Sequence, residues 1–157
     1  AHFASAICDR FSVIHLDDPT AIFVRRAVES YGLGHKLASV RSMGHSSPST
    51  MAVLKKTKPG ERYQTPEGKA FIDHLLAQCI VAIEEDRAEA LIFGTPAVQC
   101  LQGEVLQRLD EKGYGEIQIV CGLRSAIEMA RSMVNMKIRQ ADRAYPHDSL
   151  KAKPRFR

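Results

Sequence analysis

With 157 residues, the chain has the length of one domain with a single sizeable core, and two full domains are not expected. A composition of 45% hydrophobic and 25% charged residues, with ten Gly and seven Pro, excludes disorder and collagen-like structure, and no apolar run nears the roughly 18 residues needed to span a bilayer. The formal net charge of +4 comes entirely from residues 137–157, where Lys137, Arg139, Arg143, Lys151, Lys153, Arg155 and Arg157 face only Asp142 and Asp148; this basic end lacks the interleaved aromatics of a stacking platform, so nucleic acid is not an expected partner.

In chain order, Phe11 to Leu16 reads as a strand, and Asp17-Asp18-Pro19 follows it as an N-cap with Pro in the first helical turn. Val24, Ala27, Val28 and Tyr31 recur at helical spacing, with Gly32 and Gly34 as stop signals. Leu37 to Met43 is a second, weaker strand. Residues 44–65 are polar and without sustained period, so they read as a long loop with about one helical turn near Thr50 to Leu54. Thr65-Pro66-Glu67-Gly68 opens a helix with the apolar face Phe71, Ile72, Leu75, Leu76, Cys79, Ile80 and Ile83.

Ala88 to Gly94 is a buried strand running into Thr95-Pro96, again a cap followed by Pro, and the next helix carries Val98, Leu101, Val105 and Leu109 on one side. Glu116 to Cys121 alternates as a fourth strand, and Gly122 leads into a helix with Ile127, Ala130, Val134 and Ile138 on its apolar face. Met129, Met133 and Met136 on that helix read as core or interface filler. The pattern stops beyond Tyr145-Pro146, giving an α/β lobe over 1–146 and a basic C-terminal tail over 147–157.

Alternating strands and helices with short connections predict an α/β fold with a flavodoxin-like, doubly wound, four-stranded parallel sheet. Ligands of such sheets bind outside the carboxyl ends of the strands. The segments at that edge are His15 to Asp18, Met43 to Ser47, Gly94 to Pro96 and Cys121 to Leu123.

Each corner admits a chemical and a plainer reading. Gly94-Thr95-Pro96 is either an amide cradle for a carboxylate or carbonyl oxygen, or a capped helix start with no ligand. The Thr95 hydroxyl donates a hydrogen bond readily but cannot abstract a proton unaided. Cys121, ending a strand before a helix N-terminus, is either a thiolate base or nucleophile, or a small buried hydrophobe. His15 beside Asp17 and Asp18 is either a general acid or base, or a polar rim residue next to two capping aspartates. His45, in a Gly-His-Ser-Ser turn, stays open in the same way. Cys79 and Cys100 read as packing.

Cysteines at 8, 79, 100 and 121 show no C-x-x-C spacing, and the six histidines form no H-x-x-x-H pair. No metal site and no disulfide framework are expected, and the absence of a secretory apolar region points to a cytoplasmic protein.

Several stretches taken together resemble the aspartate/glutamate/hydantoin racemase superfamily, and most closely its hydantoin racemase branch. Asp9-Arg-Phe-Ser-Val-Ile is similar to a strand of that family, and Tyr31-Gly-Leu-Gly with Leu37-Ala-Ser-Val-Arg41 to its next helix end and strand. Ala82-Ile-Glu-Glu-Asp-Arg-Ala-Glu-Ala-Leu-Ile-Phe-Gly94 resembles the helix and strand before the second active-site turn. Gly122-Leu-Arg-Ser-Ala-Ile-Glu-Met-Ala130 resembles the final helix. The resemblance runs from residue 2 to residue 146, and its specificity lies in the order and spacing of short motifs.

The resemblance implies the C-terminal lobe of a two-lobed, cofactor-independent racemase or epimerase acting at the α-carbon of amino acids or hydantoin-type derivatives. In that mechanism two cysteines on opposite faces of the substrate remove and return a proton. Here Thr95 stands where the family has its second cysteine, His15 and Leu16 stand where it has paired hydroxyl residues, and the lobe bearing the first cysteine is not among the 157 residues.

Three readings follow. In the first, the lobe belongs to a racemase-like enzyme, with Thr95, Cys121 and His15 at the proton-transfer site and Leu16, Gly94, Pro96 and Gly122 binding the substrate, a small amino-acid derivative or carboxylate. In the second, it is a small-carboxylate binding module without bases. In the third, it is an oligomerising domain. An apolar face shed by a missing lobe, including Phe3 to Ile7 and the last helix, leads to the expectation of a homo-oligomer.

Overall fold

The computed structural model describes residues 1–141 and divides the chain into two compact units, Ala1–Leu123 and the residues from Arg124 onward. The expected basic tail over 147–157 lies outside the described residues. Among the described residues no helix is long and apolar enough to cross a membrane.

The first unit is built on four parallel strands, β1 (Phe11–His15), β2 (Leu37–Ser42), β3 (Ala90–Phe93) and β4 (Gln118–Cys121), in the order β2-β1-β3-β4. This is the expected α/β, flavodoxin-like, doubly wound sheet. Strand β1 is buried along its whole length, Ser12 and His15 included, because both faces of the sheet are covered.

One face of the sheet carries Phe11, Val13, Ala90 and Ile92 against Ala4 of α1 (His2–Ile7) and Val24 and Val28 of α2 (Asp18–Ser30). The other carries Ile14, Leu91, Phe93 and Ile119 against Phe71, Ile72, Leu75, Leu76 and Cys79 of α4 (Pro66–Glu84) and Val105 and Leu109 of α6 (Gln102–Glu111). A fully buried Leu, Ile or Phe of this kind contributes about 1.5–3 kcal/mol relative to exposure.

Helix starts follow the sequence signals. Asp17 accepts from Thr20 N at 3.0 Å, with Pro19 in the first turn of α2, and Thr65 accepts from Gly68 N at 3.2 Å, with Pro66 opening α4. Gly68 has to be glycine, because a Cβ there would lie 2.2 Å from the Arg62 carbonyl oxygen.

The structure departs from expectation in two stretches. Residues 44–65 hold a ten-residue helix, α3 (Ser47–Lys56), where one turn within a loop was expected. Its start is fixed by Ser46, which accepts from Ser49 N at 3.3 Å, and by the buried Thr50, whose Oγ1 donates to Ser46 O at 3.1 Å. Thereafter Arg62, 5% exposed, pairs with Glu104 at 3.2 Å, and Glu104 also accepts from Gly60 N at 2.9 Å, tying the segment to α6.

The single helix expected after Thr95 is broken into α5 (Pro96–Gln99) and α6, with Leu101 N donating back to Val98 O at 3.0 Å in the turn between them. Cys100 is exposed at this break rather than packed within a helix.

Helix α7 (Gly122–Asn135) begins where β4 ends. In the second unit Ile127, Met129, Val134, Met136 and Ile138 are exposed. Lys137 takes φ 56°, and Ile138 N donates to Met133 O at 3.0 Å, closing the helix end.

Candidate active site

Because all four strands are parallel, the segments after β1, β2, β3 and β4 leave from one edge of the sheet. Register aligns them: Ile14 pairs with Phe93, and Phe93 with Cys121, so β1, β3 and β4 end nearly level. The edge is laced by backbone bonds from Gly94 N to Ile14 O at 2.9 Å, Met43 N to His15 O at 2.9 Å and His45 N to Leu16 O at 2.8 Å.

His15 is the most unusual group at this edge. It is 5% exposed, and its Nδ1 has no hydrogen-bond partner among the described residues. Leaving such an atom unpaired costs about 1–3 kcal/mol. Burial holds the imidazole below its ordinary titration range, with the Asp17 charge opposing that shift, so His15 is a neutral base at neutral pH. The ring lies against Gly94: a Cβ on Gly94 would stand 2.6 Å from His15 Cδ2. Glycine at 94 makes room for this histidine.

Leu16, by contrast, turns into the core at 1% exposure, and its carbonyl accepts from His45 N and, at 3.4 Å, from Ser42 Oγ. Met43 is likewise buried.

Gly94 and Pro96 are exposed and Thr95 is half-buried. Thr95 caps α5, its Oγ1 accepting from Val98 N at 3.4 Å. Since Pro96 has no N–H and α5 is a single turn, the helix field here is small. The amides of Thr95 and Ala97 are the donors this turn can offer an oxygen.

Cys121 is half-buried, and its Sγ donates to Gln99 Oε1 at 3.1 Å. The same oxygen accepts from Leu123 N at 3.2 Å, while Gln99 Nε2 donates to Phe93 O at 2.9 Å. Gly122 sits beside this amide, where a Cβ would be 3.4 Å from Gln99 Nε2. By strand alternation His15 follows Phe11 and Val13 onto the α1–α2 face, whereas Cys121 follows Ile119 onto the α4–α6 face. Two interstrand spacings of about 4.8 Å separate their strands, so the pair flanks the β3 corner from opposite sides.

His45, at the β2 corner, places Nε2 3.0 Å from His74 Nδ1, with its ring 5.1 Å from that of Phe71. Burial first, and then the neighbouring His74, lower its titration. His74 and Gln99 were not anticipated from the sequence. Their only signal is a polar residue interrupting an apolar helical face, next to Phe71 in one case and Val98 in the other. Among the described residues no group of three or more His, Cys, Asp or Glu could hold a metal ion.

Neither a protein-family model nor a curated protein matches the sequence. Solved structures do match. The allantoin racemase from Pseudomonas fluorescens superposes with a TM-score of 0.71 at 23% identity, over 98% of this chain and 55% of that one. The allantoin racemase from Klebsiella pneumoniae superposes with a TM-score of 0.70 at 20% identity, over 90% of this chain and 49% of that one. The fold is therefore shared with racemases, and the chain spans about half the length of the solved structures it matches.

Proposed function

We propose that the chain is one lobe of a racemase or epimerase of the aspartate/glutamate/hydantoin superfamily, moving a proton at the α-carbon of a small cyclic ureide such as a 5-substituted hydantoin, without a cofactor. The observation that carries this reading is the buried, unpartnered Nδ1 of His15 at the carboxyl edge of the sheet. It supplies a base in a lobe whose strand-end position 95 is threonine. The racemase fold of the solved neighbours supports the reaction class.

The chemistry suits the residues. A hydantoin C5–H lies between a carbonyl and a ring nitrogen, so its removal gives an enolate stabilised by donors such as the Thr95 and Ala97 amides. His15 takes the proton, and the C–H electron pair moves into the ring as the enolate. The Cys121 thiol returns a proton to the opposite face, leaving an imidazolium and a thiolate. That state is poised to run the other enantiomer back, or resets by proton exchange with water. A single base would return its proton to the face it came from, which is why the two must flank the ring.

Gly94 and Pro96 frame the β3 corner, Gly122 gives access beside Cys121, and Leu16 acts through its carbonyl, which holds the His45 turn in place. Polarimetry of single enantiomers of 5-substituted hydantoins and N-carbamoyl amino acids tests the reading. Protein-dependent loss of rotation is expected, and unchanged rotation with retained ligand binding would instead favour a binding module.

A further inference from the structure

Gln99 makes three hydrogen bonds that join two strand ends, and together they leave its amide one orientation. Nε2 donates to Phe93 O at 2.9 Å, and Leu123 N, which can only donate, reaches Oε1 at 3.2 Å. Swapping the amide ends would set carbonyl against carbonyl at Phe93 and N–H against N–H at Leu123. With Oε1 so fixed as an acceptor, the Cys121 sulfur 3.1 Å away must be the donor. A thiolate in the same place would face two lone pairs.

We infer that Gln99 is a positioning residue that holds Cys121 as the proton-bearing thiol and fixes its rotamer, so that Cys121 is the acid and His15 the base of the pair. The assignment of acid and base rests on the proton-transfer reading above. The holding of the thiol stands on the hydrogen bonds alone.

Among the described residues, no other side chain at this edge hydrogen-bonds to the Cys121 thiol. Thr95 Oγ1 is engaged with Val98 N, and the His15 side chain leaves the sheet on the other face. Gln99 also binds the β3 end to the start of α7, so one residue sets both the thiol and the turn beside it.

The S–H stretching band of Cys121, isolated as the infrared difference between the protein and Cys121→Ala, reads this bond without any substrate. The expected band lies at the lowered frequency of a donating thiol. Gln99→Leu moves it up to that of a free thiol, while Gln99→Glu, read at a pH where its carboxyl is protonated so that the O–H replaces Nε2 as donor to Phe93 O, keeps the acceptor and leaves it low. A band that Gln99→Leu does not move, or that moves equally in both variants, overturns the inference; a general loosening of the fold would move both alike, and Gln99→Glu provides the arm that separates the two. With a hydantoin substrate, Gln99→Leu is expected to lose about tenfold or more in racemisation rate, the cost of a misplaced proton donor. If the wild type exchanges nothing while the band still responds to Gln99→Leu, the functional reading fails and the positioning of the thiol stands.

Discussion

Substituting Gly94→Ala tests the packing that brings His15 to the sheet edge. The added Cβ would stand 2.6 Å from His15 Cδ2, 3.2 Å from Val13 Cγ1 and 3.4 Å from Ile14 O. Carbon atoms in contact sit about 3.5–4.0 Å apart, so the ring must retreat by roughly 1 Å. His15 and Val13 are 5% and 3% exposed, which leaves little space to retreat into. Gly94 does not have a left-handed backbone, so alanine adds contact strain and no conformational strain. Overpacking of this kind costs about 1–3 kcal/mol, and at about 4 °C per kcal/mol for a domain of this size the expected loss in Tm is about 4–12 °C. In a His15→Ala background the worst contact is gone, and the same substitution should cost under about 1 kcal/mol. Thermal melts of the four proteins of this cycle give the coupling directly. An unchanged Tm in Gly94→Ala, or an equal loss in both backgrounds, would refute the packing.

Other consequences are as direct. Arg62 and Glu104 form a buried pair, with side chains 6% and 13% exposed, so Glu104→Gln should cost about 3–5 kcal/mol in urea unfolding; a loss below 1 kcal/mol would mean the pair is solvated. His15 and His45 both titrate below their ordinary value when folded. The unfolded chain therefore binds protons first as pH falls, and stability is full above about pH 6.5 and declines as pH drops through the lower folded values. Urea midpoints at pH 7.5 and pH 5 should fall accordingly, with a shallower fall in His15→Gln; a midpoint that rises toward pH 5 contradicts the shift. Finally, Phe3, Ile7, Ile22 and Phe23 are 47%, 59%, 57% and 66% exposed on α1 and α2. Self-association is expected by light scattering and should weaken in Phe23→Glu; a wild-type monomer at micromolar concentration would count against it.

The strands were legible because each is a short β-rich run flanked by turn residues, buried throughout in β1 and β3 and half-buried over most of β2, and α4 because Phe71, Ile72, Leu75, Leu76 and Cys79 repeat with helical period. Helix α3 was not, since Ser47 to Lys56 carries almost no apolar period; its fold is set by the Ser46 cap and by the burial of Thr50, a tertiary fact. The break at Cys100 was hidden in the same way, because Val98, Leu101, Val105 and Leu109 keep one apolar stripe across two helices. At the site, parallel topology was enough to bring His15, Gly94 and Cys121 to one edge. The burial of Leu16 was legible only as alternation along β1. The Gln99 bridge was invisible because its partners, Phe93, Cys121 and Leu123, come together only when β3 and β4 pair.

Deuterium incorporation at C5 of a 5-substituted hydantoin in deuterated water, followed by proton NMR with each enantiomer, measures α-proton transfer itself. The wild-type protein is expected to wash out the C5 proton of both enantiomers; His15→Gln should lose exchange of the enantiomer whose C5–H faces His15, and Cys121→Ser should keep that exchange but lose inversion to the other enantiomer, both keeping their fold. No exchange by the wild type above the buffer rate, or full exchange in His15→Gln, would contradict a proton-transfer site at this edge of the sheet.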